Sequence, residues 1–190
     1  MLLLVGLGNP GSNYTNTRHN IGFKIIDAIN THFKLSKQKP KFKGLLTTGN
    51  IDSKKIYAIK PLTFMNNSGT AIKELIDYFK IDAKDVFVFH DDLDIDFGKI
   101  KVKFGGSSAG HNGIESIDKF IGTDYSRVRI GIGHPKKKKK VSNHVLEDFK
   151  EDEEERIKEI TENIVKLIPT LIDKKIDLFS SKVNQSLNGI

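Results

Sequence analysis

A chain of 190 residues, 37% hydrophobic and 29% charged, suits one soluble domain able to bury about 70% of the surface its unfolded form exposes. Cysteine is absent, which excludes disulfides, thiolate metal sites and a cysteine nucleophile, and no apolar run approaches the ~20 residues needed to cross a bilayer. The formal net charge of +7 is uneven: residues 147–162 hold nine acids and three bases, so their −6 leaves +13 on the other 174 residues, a field suited to an anionic partner such as nucleic acid.

The leading "LLLVG" reads as a buried strand. "MLLLVGL" lacks the basic flank and cleavage site of a secretory signal, so a cytoplasmic address is expected. Residues 6–20, "GLGNPGSNYTNTRHN", then contain a literal G-x-G-x-x-G at Gly6, Gly8 and Gly11. The dinucleotide reading fails on context: Pro10 and "GSNYTN" postpone the helix to about residue 18, and Asp27, the acid at the fingerprint spacing, lies inside it.

Ile21, Ile25, Ile26, Ile29 and Phe33 mark one face of a helix starting near Arg18. Strands are predicted at 42–48 and 55–60, followed by a helix carrying Ala71, Leu75, Ile76 and Phe79. Further strands fall at 86–89 and 99–104, a helix carries Ile114, Ile117, Phe120 and Ile121, and a last strand covers 127–132. Ile157, Ile160, Ile164, Leu167 and Ile168 predict a helix ending before Pro169, with a short one after it. Strands alternating with helices indicate an α/β class: a single domain over 1–190 with a twisted, mostly parallel mixed sheet flanked by helices. Ligands in such sheets gather beyond the carboxyl ends of the strands, where Asn9, Asp91, the residues after Lys60 and the glycines after Phe104 are expected.

Two further motifs compete for the chemistry. In "HDDLDIDFG", Asp92, Asp94 and Asp96 alternate, but a calcium loop counted from Asp92 would need glycine and glutamate where Phe97 and Lys103 stand. His90 and His111 lack zinc-ligand spacing, so no metal is expected. "GSSAG" matches G-x-S-x-G, with Ser108 between strand and helix and Asp124, then His134 or His144, following in hydrolase order; no HGGG-type segment precedes it. A serine esterase is the alternative reading.

His19 is the candidate general base, with Thr17 placed to cap the helix and the ring in its first turn. The helix dipole there disfavours imidazolium, while a carboxylate partner would favour it; Asp91 is best placed by topology, with Asp92 and Asp94 also near. Asn9, Asn66 and Asn112 recur at loop-to-element junctions, and neutral amides can hold a carbonyl, an amide N–H or a water without adding charge. That inventory suits water attack on an acyl group.

Four blocks, "VGLGNPGSNYTNTRHNIGF", "KPLTFMNNSG", "DDLDIDFGKIKVKFGGSSAGHNGIESI" and "RVRIGIGHP", resemble in order, and over most of the chain, the signature blocks of bacterial-type peptidyl-tRNA hydrolase. The resemblance implies an α/β esterase, cytosolic, usually monomeric and free of metal or cofactor, that releases peptides from the tRNA of stalled translation. It implies His19 as general base with Asp91 stabilising its charged form, and Asn9 separating N-blocked peptidyl from free aminoacyl groups. Tyr14, Phe64, Asn66, His111 and Asn112 would line the substrate groove, Met65 would lie beneath the peptide, and Lys101, Lys103 and Arg129 would hold acceptor-stem phosphates. Asp96, Phe97, Ala109 and Glu115 depart from the family's usual residues, and the run 136–140 forms a competing basic patch.

Overall fold

Every residue of the first strand, β1 (Leu2–Gly6), is buried, because helices cover both faces of the sheet around it. The computed structural model describes residues 1–135 and 140–188. The remaining strands are β2 (Lys39–Lys41), β3 (Gly44–Ile51), β4 (Lys54–Pro61), β5 (Val86–Asp92), β6 (Ile100–Phe104) and β7 (Ser126–Gly131). They form one seven-stranded sheet in the order β2-β3-β4-β1-β5-β7-β6. The central four, β4, β1, β5 and β7, are parallel, and β2, β3 and β6 pair antiparallel at the margins, so the expected mixed α/β sheet is observed. Among the described residues no helix is long and apolar enough to cross a membrane.

Alternation along the strands feeds two cores. Leu2, Leu4, Phe87 and Phe89 pack with α1 (Ile21–His32), α5 (Glu151–Ile172) and α6 (Ile176–Asn188), through Ile25, Ile160 and Phe179 among others. Leu3, Val5, Val86 and Val88 pack with α2 (Ser68–Phe79) and α3 (Asn112–Ile121), through Ile72, Leu75 and Ile117. The chain leaves β1 toward β4 on one side and returns to β5 on the other, which makes the β1/β5 boundary a topological switch point where a crevice opens. At that boundary α1 rests directly on strand backbone: a Cβ on Gly22 would stand 2.4 Å from Leu7 N and from Phe89 O. Gly6 answers it, since a Cβ there would stand 2.2 Å from Gly22 O. These glycines permit helix–strand contact rather than phosphate binding.

Several expectations need correction. Phe42 and Lys43 are not strand residues: with φ of 53° and 52° they form the two-residue turn joining β2 to β3, a conformation that hairpin twist favours. β2 itself, "KPK", carries no strand pattern and exists only as an edge paired to β3, where Pro40 is tolerated. Pro169 does not end α5, which continues to Ile172 because Ile168, Leu171 and Ile172 are buried at 0–1% exposure and packing outweighs one lost N–H. The segment after it is the 13-residue α6, and α4 (Val141–Val145) was not anticipated, as "VSNHV" has no apolar periodicity. The glycines after Phe104 begin at the opposite sheet edge, because β6 is antiparallel: Phe104 pairs with Ser126, and Gly105 N–H donates to Tyr125 O at 3.0 Å. The chain then crosses back through 107–110 to His111.

Candidate active site

The switch point gathers side chains from four places. His19 lies in a 3₁₀ turn, Arg18–Asn20, that leads into α1, and not in the helix itself; Thr17 makes no side-chain cap, its hydroxyl donating instead to Tyr14 O at 2.9 Å. Arg18 fixes this turn by donating to the carbonyls of Glu147 and Asp148 and pairing with Glu153 at 2.6 Å. Glu153 also accepts from Lys150 N, and Glu154 pairs with Lys24 at 3.0 Å, so part of the acidic 147–162 segment braces the histidine turn.

Asp91 sits inside β5, whose strand runs three residues further than its apolar pattern, and is 2% exposed. His19 Nδ1–H donates to Asp91 Oδ1 at 2.8 Å, which leaves Nε2 with the lone pair. Burial alone would lower the His19 pKa, but the Asp91 charge and hydrogen bond outweigh it and hold the ring above its ordinary 6.5. Burial likewise would raise Asp91, and His19 and His111 together drive it well below the usual carboxylate range. Of the two opposing influences on His19, the carboxylate prevails.

His111 Nε2 donates to the same Asp91 oxygen at 3.0 Å. Its Nδ1 accepts from the backbone N–H of Gly113 and Ile114, at 3.1 and 3.3 Å, so the proton resides on Nε2. The His19, Asp91 and His111 ligand atoms lie within 4.8 Å of one another, a span that could hold a cation. In this protonation pattern both imidazole nitrogens facing Asp91 carry hydrogen and offer no lone pair to one. His90, on the adjacent β5 position, donates from Nδ1 to Asp91 O at 2.7 Å and packs edge-on against His111 at 4.8 Å. Burial, then the neighbouring His111, push His90 down to about 3.

Asn9 is oriented on both sides. Asn20 clamps its backbone, and its side-chain Oδ1 accepts from Met65 N at 2.8 Å, so Nδ2 remains as the free donor. Met65 is buried at 4% exposure, while Asn66 in the same 3₁₀ turn is exposed. Phe64 is 57% exposed and meets Tyr14 edge-on at 6.4 Å. Asn112 opens α3 on the exposed side. A hollow of ≈ 350 Å³ is lined by His19, Asp91, Leu93, Ser108, Asn112 and Val145, and a second of ≈ 610 Å³ by Asn9, Asn20, Phe23, Lys60 and Leu62.

Lys101 pairs in register with Arg129 and Lys103 with Arg127, which sets all four cations on one sheet face. Their states differ. Lys101 and Lys103 are exposed, Arg129 Nε donates to Asp92 Oδ2 at 2.7 Å, and Arg127 is buried against Asp118. Lys136 to Lys139 lie outside the described residues. Ser108 lines the first hollow, yet the histidines expected to serve it are engaged elsewhere: His134 bonds Asp94 at 2.8 Å and His144 faces the carbonyls of Ile132 and Gly133. Gly106, Ala109 and Gly110 have positive φ, Ala109 at 49°, and Ser108 does not, so the strained nucleophile turn is absent.

Three participants escaped the sequence reading: Asn20 as the clamp on Asn9, Arg18 as the brace, and His111 as a helix cap bonded to Asp91. Only the "RHN" spelling beside the glycine loop hinted at the first two, and no local pattern signals a histidine N-cap.

A family model described as peptidyl-tRNA hydrolase matches residues 3–189. The chain is 72% identical over 184 residues to the peptidyl-tRNA hydrolase of Pelagibacter ubique (strain HTCC1062), covering 97% of this chain and 99% of that one. It is 46% identical over 189 residues to that of Bartonella henselae, covering 100% and 98%. The crystal structure of peptidyl-tRNA hydrolase from Acinetobacter baumannii superposes with a TM-score of 0.90 at 34% identity, over 97% of this chain and 94% of that chain. Fold and likeness agree, and the chain belongs to the peptidyl-tRNA hydrolase family.

Proposed function

We propose that the protein hydrolyses the ester between an N-blocked peptidyl group and the 3′-terminal ribose of tRNA by water activated at His19. One observation carries this reading: Nδ1 of His19 is bound to a buried, ionised Asp91 at 2.8 Å, so Nε2 is a lone-pair nitrogen on a ring that lines a hollow. Water held at Nε2 gives up its proton as its oxygen attacks the ester carbonyl. Asp91 stabilises the imidazolium that forms, and His19 returns the proton to the departing ribose oxygen as the carbonyl–oxygen bond breaks.

The asparagines supply neutral donors around that carbonyl. Since Oδ1 of Asn9 is occupied by Met65 N–H, its Nδ2–H faces substrate. A donor there donates to the carbonyl oxygen of a blocked α-amide and opposes the ammonium of a free aminoacyl group, whose desolvation is costly. Tyr14, Phe64, Met65, Asn66 and Asn112 form the walls, and Lys101, Lys103 and Arg129 take phosphates of the acceptor stem. The enzyme acts as a cytoplasmic monomer and needs no metal or cofactor.

The test is cleavage of N-acetyl-aminoacyl-tRNA and free aminoacyl-tRNA by purified protein, with and without chelator. The blocked ester is cut at a rate unaffected by chelator and the free one largely spared. Equal cleavage of both would remove the role given to Asn9.

A further inference from the structure

Two histidines share one carboxylate oxygen, at 2.8 Å from His19 Nδ1 and 3.0 Å from His111 Nε2, and they differ in what the other ring nitrogen does. Nδ1 of His111 is the acceptor that caps α3, taking the N–H groups of Gly113 and Ile114. Ser, Thr, Asp and Asn usually fill that position. A proton on Nδ1 would convert this acceptor into a donor facing two N–H groups and uncap the helix, a constraint that the Nε2 of His19 does not carry.

We propose that His111 is a positioning residue that divides the Asp91 carboxylate between two imidazoles, tempering the basicity of His19, and ties that carboxylate to the helix turn bearing Asn112. The inference rests on the reading of His19 as general base. It is independent of any contact between His111 and substrate.

The surroundings keep other charges from doing the same. From β5, His90 packs on the His111 ring at 4.8 Å and is held neutral by burial. Asp92 is paired with Arg129 of β7 at 2.7 Å, and Asp94 with His134 at 2.8 Å on the exposed rim. Arg18, next to His19, is paired with Glu153 of α5. Within α3's first turn Glu115 is directed to Lys119 at 3.0 Å. Asp91 is therefore the charge that both His19 and His111 read directly.

His111→Asn separates the two duties, since asparagine caps a helix well but its short side chain cannot reach Asp91. His111→Ala removes both. The readouts are thermal unfolding, kcat and KM for N-acetyl-aminoacyl-tRNA across pH, and the NMR titration of the His19 ring. With Asp91 left to His19 alone, its titration and the acid limb of kcat should move up by about 0.5 to 1 pH unit in both variants. Only His111→Ala should lose thermal stability, because His111→Asn keeps the cap. An unmoved or downward His19 titration in both variants overturns the proposal and leaves a plain helix cap. If the ring titration moves while the kcat limb does not, the sharing of Asp91 stands and the assignment of His19 as base falls.

Discussion

Asn20 holds Asn9 by two reciprocal hydrogen bonds: its Oδ1 accepts from Asn9 N and its Nδ2 donates to Asn9 O, both at 2.9 Å. One side chain thus satisfies both backbone groups of a residue in an irregular loop, where a buried amide left unpaired would cost about 1 to 3 kcal/mol. Asn20→Ala should release Asn9 and narrow the ratio of blocked to free aminoacyl-tRNA cleavage by about tenfold, the value of roughly 1.4 kcal/mol in positioning. A ratio unchanged from wild type would mean that Met65 N–H alone orients Asn9.

His19→Ala should lower turnover by roughly 10² to 10⁴, the contribution of a positioned general base. Asp91→Asn should keep tRNA binding and lose rate, because an amide can hold the ring without stabilising imidazolium. Ser108→Ala should retain most activity; an inactive Ser108→Ala together with a covalent acyl-enzyme detected by mass spectrometry would favour the serine mechanism instead.

The pH dependence of stability is set by His90 as well as by the Asp91 pair. His90 titrates at 6.5 when exposed and about 3 in the fold, so the unfolded chain binds its proton first and stability falls as pH drops from 6.5 toward 3. Asp91, lowered in the fold, likewise contributes stability above its unfolded value of 3.8 that is lost on further acidification. His19 has the opposite sign: raised in the fold, it contributes fully below 6.5 and loses that contribution as pH rises through its folded value. Urea unfolding of His90→Phe between pH 7 and 4 should therefore be flatter than wild type. Parallel curves would exclude His90 as the source of the acid sensitivity.

Replacing Gly22 by alanine places a methyl 2.4 Å from Leu7 N and Phe89 O, both backbone atoms that cannot yield. Such overpacking should cost about 1 to 3 kcal/mol and displace the turn carrying His19, so Gly22→Ala should show lowered kcat along with lowered urea midpoint. Full activity with normal stability would show that α1 can slide without moving His19.

Binding of tRNA over a salt series distinguishes the basic clusters. Lys103→Ala with Arg129→Ala should weaken binding, raise KM and flatten log affinity against log salt by about 0.7 to 0.9 per lost phosphate contact, with saturating turnover little changed. Changing the five tract lysines to serine should matter less. The reverse ranking would route the acceptor stem past Pro135 and remove Lys101, Lys103 and Arg129 from the interface while leaving His19 and Asp91 in place.

Local chemistry made much of this architecture legible. Buried apolar strands, 3.6-residue periodicity in four helices and turn residues at the loops identify the α/β class, and a histidine at the head of the first helix with acids beyond "VFVF" points to the pair that meets at 2.8 Å, with Asp92 and Asp94 left open beside Asp91. Those features are short-range, and the residues carry them wherever the chain goes. What depended on distant partners stayed hidden. β2 exists through its pairing with β3, and α5 passes Pro169 because the core holds its last turn. The reversal of β6 sends Gly105 to the far edge of the sheet. The occupation of Arg129 by Asp92, the clamp of Asn20 on Asn9 and the single tautomer of His111 are likewise decided by atoms up to 37 positions apart in the chain. Sequence determines which groups are available to donate, accept or titrate; the fold decides which are already spent on one another, and so which proton remains for the substrate.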